Sequence, residues 1–546
     1  MERTDNNQVV ASKGHPKGLY VLFATEMWER FNYYGMRAIL VLFMTKALLF
    51  DKVFASNLYG SYTSLIYLTP LIGGYIADRY WGNKRSIIAG GLLMAIGEFL
   101  LFFCGSLYNT SEQAASLLFF SGLGFMIAGN GFFKPNISSL VGQLYPKGDR
   151  RIDAAYTIFY MGINVGGALG PFICGLVGET GNPADFKWAF LVAGIGMLIS
   201  VIIQKLYQDK YVRAPDGSAL GEPSATAPKQ WLNPAFMMIG LVILSAVMIG
   251  MLYVDSNVFS FLTYLLIGAV IFIAFVLFSD KSLNGTEKQR VGVIFIVSFF
   301  VIFFWSAFEQ AGASLTFFAD EQTQRDVGSF VVPASTFQSL NSIFVVLFAP
   351  IFAWLWLRLG KNEPSSPTKM AVGLFLLAVG YLWIAFGVKD VAPGIKVSMI
   401  WLIGMYALHT WGELCLSPIG LSLVNKLAPL KFASLLMAVW FLANAAANKL
   451  AGILSALYPP GIAEIQKAAK EGINLEPILS GTATPSVTEL ARLKDLSIPY
   501  QYQSFLGYEI NTLYDFFMLF VFMAGIASLI LFFLSKKLQQ MMQQGK

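Results

Sequence analysis

The chain reads as an all-α integral membrane protein of about fourteen spanning helices, arranged as two six-helix bundles plus two inserted helices. Three observations lead there. Of its 546 residues, 56% are hydrophobic and only 13% charged, with a mean hydropathy of +0.61, a balance no water-soluble domain of this length sustains without aggregating. Mostly apolar runs of about 20 residues, long enough to cross a bilayer, recur from Leu19 to the C-terminal end, separated by short loops carrying Lys, Arg, Pro and Asn. A polar stretch rich in Pro and Gly divides these runs into two groups.

In order, the spans are expected at 19–49, 56–79, 86–106, 115–143, 152–178, 187–207, 233–253, 258–279, 291–319, 332–359, 370–389, 396–425, 432–458 and 512–535. The segment from Gln208 to Trp231, with Arg213, Pro215, Gly217, Ser218, Gly221, Pro223 and Pro228, is a linker by composition. An internal echo supports a division there: Pro70 precedes Asp78, Arg79, Gly82, Lys84 and Arg85 at the end of the second span, and Pro350 precedes Arg358, Gly360 and Lys361 at the end of the tenth. Setting aside the pair between 233 and 279 as an insertion leaves six plus six. The expected organisation is therefore a first bundle over 1–207, a linker over 208–232, an inserted hairpin over 233–280 and a second bundle over 281–546. Residues 459–511 within the latter are a polar external insertion, helical in part, for example over Ile462 to Glu471. The inserted hairpin is nearly free of ionisable residues apart from Asp255 in its short outer turn, which points to scaffold or lipid contact.

Loop charge sets the orientation. About 24 Lys and Arg fall on the side of the N-terminus and about 10 opposite, so both termini are expected in the cytoplasm and the protein in the plasma (inner) membrane. Residues 1–18 lack an apolar core with a small-residue cleavage site, so no removable signal peptide is expected. Cys104, Cys174 and Cys415 all fall in spans, where they behave as small apolar side chains. The net charge of +6 is dispersed among loops with no aromatic-interleaved patch, so no nucleic-acid partner is expected. The histidines, His15 in the tail and His409 in a span, stand far apart in sequence and supply neither a metal cluster nor a nucleophile with its base, which argues against an enzyme. No obligate protein partner is expected.

An ionisable side chain near the bilayer centre costs on the order of 2.5 to 3.5 kcal/mol, so such groups face a polar interior or one another. The first span carries Glu26, Glu29, Arg30, Tyr33, Tyr34 and Arg37 at spacings of three, four and seven, which makes one polar stripe. Glu26 and Arg30, one turn apart, can pair and leave one acid free. Arg37 sits midway along the span, too deep to snorkel. Other spans add Lys134, Glu309, Glu413 and Lys449, giving four acids and four bases that can pair and separate as two bundles rock. A carboxylate whose partner leaves takes up a proton, so proton coupling needs no cofactor. Glu98 reads as a hydrogen-bonding group inside the first bundle and His409 as a packing residue. Asn164 and Asn341 add polar amides, and Tyr34, Tyr67, Trp305 and Trp440 are candidate cavity walls, with lipid-facing packing the competing reading.

Specific motifs then appear. Glu26-Met-Trp-Glu29-Arg30-Phe-Asn-Tyr33-Tyr34-Gly35 resembles the ExxERFxYYG signature of the proton-dependent oligopeptide transporter family. Gly73-Gly74-Tyr-Ile-Ala77-Asp78-Arg79-Tyr-Trp-Gly82-Asn-Lys84-Arg85 resembles the loop motif of the wider major facilitator superfamily, whose charges latch helix ends. Phe159-Tyr160-Met-Gly-Ile163-Asn164-Val-Gly166 resembles the family's FYxxINxG motif, and Gly129-Asn130-Gly131-Phe132-Phe133-Lys134-Pro135-Asn136 its fourth-helix lysine segment. Phe308-Glu309-Gln310 and Gly412-Glu413-Leu-Cys-Leu-Ser417-Pro418 extend the likeness into the second half.

The resemblance implies a major facilitator fold and a proton-coupled symporter importing di- and tripeptides by alternating access, with the proton gradient in place of any cofactor. It implies that Arg30 and Lys134 receive the peptide carboxylate while Glu413, with Asn164 and Asn341, holds the amine. Glu26, Glu29, Arg30 and Glu309 would serve the proton, and Arg37 with Glu309 and Lys134 with Glu413 would be gating bridges; Arg37 and Glu309 would also border the peptide. Tyr34, Tyr67, Trp305, Ser417 and Trp440 would wall the side-chain pockets. Animal members carry a histidine in the second helix, which Tyr59-Gly60-Ser61-Tyr62 lacks. Plant relatives that move nitrate tend to lack the intact acid set of the first helix, so the alternative of another small solute, nitrate or drug-like, fits these residues less well.

Overall fold

The computed structural model describes residues 14–146, 148–223, 228, 233–257 and 261–543. The tail before Gly14, linker residues 224–227 and 229–232, and residues 258–260, where the eighth span is expected to begin, lie outside them. Six long helices form the first half: α1 (Lys17–Lys46), α2 (Lys52–Ile76), α3 (Asn83–Leu107), α4 (Glu112–Gln143), α5 (Ile152–Gly178) and α6 (Phe186–Tyr211). A hairpin of α7 (Pro234–Asn257) and α8 (Phe261–Ser279) follows. The second half contains α9 (Gly285–Phe308), α10 (Ser314–Glu321), α11 (Ser339–Leu359), α12 (Ser366–Val388), α13 (Ile400–Leu427) and α14 (Ala433–Ser455). Three short helices, α15 (Ile462–Lys470), α16 (Leu475–Leu479) and α17 (Val487–Asp495), lead to α18 (Leu513–Gln543).

Among the described residues, eleven helical segments are long and apolar enough to cross a membrane. The three other long helices are α1, α2 and α13, which trade hydropathy for buried polar groups such as Glu26, Arg30, Ser61, Thr63, His409 and Glu413. Helices suit a bilayer because each backbone donor and acceptor is satisfied within the segment. In the first half α1 packs on α5 and α6, and α3 on α4 and α6; in the second, α9 packs on α14 and α18, and α12 on α13 and α18. The halves meet where α2 touches α14 and α5 touches α11.

Two expectations need correction. The ninth span is not one helix, because α9 stops at Phe308, Glu309–Gly312 form a single 3-10 turn, and Ala313 breaks the chain before α10. Gln310 makes the break tolerable by donating to Ser306 O at 3.0 Å and across to Ala451 O at 2.9 Å, which satisfies carbonyls that water cannot reach. The span before the linker and the last span also run longer than expected: α6 continues to Tyr211 and α18 to Gln543, as polar but helix-compatible ends emerge from the apolar zone.

Residues 459–511 fold against the ends of α1, α2 and α10, which defines a segment face; the linker marks the opposite, linker face. Helix α15 occupies the stretch read as helical, and Ala468, Ile473, Leu475, Ile478, Leu479 and Leu493 bury a small core of their own. Lys52 anchors this unit, 2.7 Å from Glu321 and 3.1 Å from Glu464. On the linker face the loop after α2 turns through Gly82, whose φ of 74° favours glycine. Lys84 there pairs with Asp209 at 2.5 Å and Glu222 at 3.2 Å, so the loop motif latches the end of α6 and the middle of the linker. Gly360, with φ 48°, makes the echoing turn after α11.

Candidate functional site

Helical spacing puts Glu26, Glu29, Arg30, Tyr33, Tyr34 and Arg37 along one side of α1, and the packing of that helix inside the first half buries them. Gly166 on α5 makes this possible: a β-carbon there would lie 2.2 Å from the Met27 carbonyl and 2.8 Å from Arg30 Cβ. Arg30 holds both acids. Its Nε lies 3.2 Å from Glu26 Oε1 and 2.5 Å from Glu29 Oε2, while Nη2 donates to Glu29 Oε1 at 2.7 Å. The expected pairing of Glu26 with Arg30 is present, but it leaves no acid free, because Glu29 shares the same guanidinium. Glu29 takes the two-pronged grip because the long guanidinium folds back over its own neighbour, and Asn130 of α4 steadies Glu29 from 3.4 Å. Glu26 Oε2 has no hydrogen-bond partner among the described residues.

Two turns along, Arg37 crosses to the second half, donating through Nη1 to Glu309 Oε2 at 2.8 Å. The broken ninth span presents Glu309 at that depth. Tyr34 stands between the cations, with Arg30 5.8 Å and Arg37 5.2 Å from its ring centre. It lies within electrostatic reach of Glu309 and Glu413 as well. Lys134 sits 5.4 Å over the Tyr67 ring and within reach of Glu26, Glu29, Arg30 and Glu309.

On the other half, Asn341 donates through Nδ2 to Glu413 Oε2 at 2.8 Å and to Thr410 Oγ1 at 3.2 Å. Asn164 instead bonds Tyr160 O of its own helix at 2.9 Å. Lys134 and Glu413 form no ion pair among those described, whereas Arg37 and Glu309 do. Trp305 packs edge-on against Phe308, Trp440 lies against Gly420 of α13, and Ser417 is half-buried one turn past Glu413. A small enclosed cavity of about 20 Å³, room for one water, is lined by Tyr34, Arg37, Phe308, Asn341, Tyr406 and His409. The ties between halves gather toward the segment face, where Ser56 meets Ser455 at 3.0 Å, Lys46 meets Asp320 at 2.7 Å, and Glu179 accepts from the Ala334 and Ser335 backbone at 2.8 and 2.9 Å.

Residues 84–469 match the model of the POT family, PTR2. The chain belongs to the POT family. This is the family of proton-dependent oligopeptide transporters within the major facilitator superfamily, so the protein is a multi-pass membrane transporter. It is 37% identical to the uncharacterized transporter YclF of Bacillus subtilis, over 84% of this chain and 92% of that one. Identity with the peptide transporter YePEPT of Yersinia enterocolitica is 35%, over 81% and 88%. A solved peptide transporter, POT, in complex with sulfate superposes with a TM-score of 0.75 at 32% identity, covering 97% of this chain and 96% of that one.

Within this POT transporter, Glu98 and His409 take the roles that the sequence suggests. Asn32 donates to Glu98 Oε1 at 2.9 Å inside the first half, and His409 packs against Tyr381 with ring centres 4.7 Å apart. Sequence reasoning missed Asp255, which is not in a lipid-facing turn but buried against Ser61 and Lys449. Glu179 was missed as well, because its two partners are backbone N–H groups with no sequence signal.

Proposed function

We propose that this protein is a proton-coupled symporter that imports di- and tripeptides by alternating access, with residues 1–207 and 281–546 rocking as bundles. The linker 208–232 and hairpin 233–280 join them, and both termini face the cytoplasm. The observation that carries this reading is the cavity that Tyr34 and Arg37 of α1 share with Asn341 of α11, whose amide holds Glu413 Oε2 of α13 at 2.8 Å. A peptide at neutral pH is a zwitterion of fixed end-to-end span, so basic and acidic groups on opposite walls read its backbone length. Arg30 and Lys134 take the carboxylate, Glu413 with Asn341 the amine, and side chains meet Tyr34, Tyr67, Trp305, Ser417 and Trp440. Asn164, bonded to its own helix, contributes its amide only once the peptide displaces that bond.

Protons enter through Glu26 and Glu29, which compete for Arg30; a peptide carboxylate arriving at Arg30 releases an acid that then holds a proton. Glu309 takes its proton when Arg37 leaves it. Lys134 and Glu413 pair when the linker face closes, the converse of the arrangement described. The test is uptake of labelled dialanine into liposomes under an inward proton gradient, with unlabelled dipeptide, tripeptide and nitrate as competitors. Accumulation collapsed by a protonophore and competed by both peptides, not by nitrate, is the expected result. Uptake indifferent to the gradient, or competed by nitrate alone, overturns it in favour of another solute on the same fold.

A further inference from the structure

The inserted hairpin straddles the halves: α7 lies on α2 and α4 of the first, α8 on α14 of the second. Near its segment-face end Asp255 is buried, with 1% of its side chain exposed, and so is Lys449 of α14, at 2%. Lys449 Nζ lies 2.5 Å from Asp255 Oδ2 and 2.9 Å from Ser61 Oγ of α2, and Ser61 donates to the same carboxylate oxygen. The other oxygen accepts from Leu262 N at 2.9 Å, which clasps α8 to α7. One carboxylate therefore joins three elements: the hairpin, the first half and the second.

The backbones beneath it are in direct contact. A β-carbon on Gly60 would lie 2.7 Å from Gly452 Cα, so α2 and α14 meet at glycines with Ser56–Ser455 on one side and Ser61–Lys449 on the other. Helices that touch this closely must part when the segment face opens. Removing one partner from a buried pair leaves an uncompensated charge in a low-dielectric site, so the pair resists separation unless the departing ion reaches water or a new partner.

From this arrangement we propose that Asp255 and Lys449 are positioning residues of the transport cycle, an ion-pair latch by which the inserted hairpin holds the segment face closed. Because α7 is seated on α2 and α4, Asp255 and Ser61 travel with the first half and Lys449 departs with α14 as that face opens. The hairpin thus sets the balance between the two access states without touching the peptide. This inference depends on alternating access, but not on which solute is carried.

The experiment places spin labels at Asn109 and Lys389, both exposed on the segment face in opposite halves, and measures their distance distribution in liposomes without substrate. Asp255→Asn and Lys449→Gln should each raise the long-distance population several-fold, and the exchanged pair Asp255→Lys with Lys449→Asp should return it toward wild type. If Asp255→Asn alone acts, the carboxylate merely clasps the hairpin and the latch is overturned; unchanged distances in both single variants overturn it equally. Should Asp255→Asn fail to accumulate, Ser61→Ala and Lys449→Arg decide: a rise in the first with little change in the second supports the latch, and no change in either refutes it. A wild-type protein showing one distance under every proton gradient would instead remove alternating access itself, and dialanine uptake reports separately on the substrate.

Discussion

Arg30 and Arg37 stand two turns apart on one helix and hold their carboxylates in different ways. Arg30 is satisfied inside the first half, by Glu26 and Glu29 of its own helix, with Asn130 of α4 reaching in. Arg37 reaches Glu309 in the second half, much as Lys449 of the second half reaches Asp255 of the hairpin. A cluster contained within one rigid half survives rocking intact and so is suited to exchange a proton for a substrate carboxylate. A pair shared between halves must break in every cycle and so is suited to gating. The same salt-bridge chemistry acquires its role from which bodies it joins.

The sharpest way to break that comparison is Glu29→Gln, where the largest effect is expected. An inward potential of 100 mV supplies about 2.3 kcal/mol per charge, equivalent to an accumulation ratio of about 50-fold. If the α1 cluster carries the proton, Glu29→Gln loses this accumulation while exchange of labelled for unlabelled dialanine across the membrane continues. Concentrative uptake equal to wild type would remove Glu29 from the proton path and make the cluster purely structural.

The same distinction explains what the sequence made legible. Long apolar runs announced the helices, the stripe on α1 announced its own charges, and the apolar sequence around Glu309 and Glu413 brought those acids to attention before any motif did. Contacts that depend on two distant segments left weaker traces. The break after Phe308 is settled by Gln310 reaching Ala451 O, a tertiary bond that no apolar run reveals. Asp255, close to the end of an apolar hairpin, reads as a loop residue until the bases are matched to acids. With Glu26 and Glu29 both matched to Arg30, Glu309 to Arg37 and Glu413 to its expected partner Lys134, Lys449 needs a carboxylate from elsewhere, which was the signal available. The absence of a Lys134–Glu413 pair among those described has a physical reason of the same kind: Glu413 is engaged by Asn341, and Lys134 by the Tyr67 ring, on different halves.

A smaller effect is expected from Glu413→Gln, which keeps the hydrogen bond to Asn341 but removes the charge. A hydrogen bond to a charged group contributes roughly 1.5–3 kcal/mol, so affinity for free-amine dipeptides should fall about ten- to hundredfold, with N-acetylated peptides nearly unaffected in competition assays. Equal losses for both would assign Glu413 to holding the second half together, in place of reading the amine.

The smallest effect concerns Glu179, just past the end of α5, which caps the turn before α11 through two backbone N–H groups. Burial raises its pKa above the ordinary carboxylate value despite these bonds, and nearby Asp320 adds to the rise. An open segment face would return Glu179 to water and to an ordinary pKa near 4.3. The closed state then binds the proton more tightly than the open one, so closure is favoured at acid pH and loses that advantage as pH climbs from the ordinary value through the raised one. Spin-label distances between Asn109 and Lys389 should therefore shift modestly toward the open population as pH rises above about 4, and the shift should shrink in Glu179→Gln. A variant titrating as steeply as wild type would place the pH response elsewhere, in the α1 cluster or at Glu309, and would leave Glu179 as a helix cap whose charge does not matter.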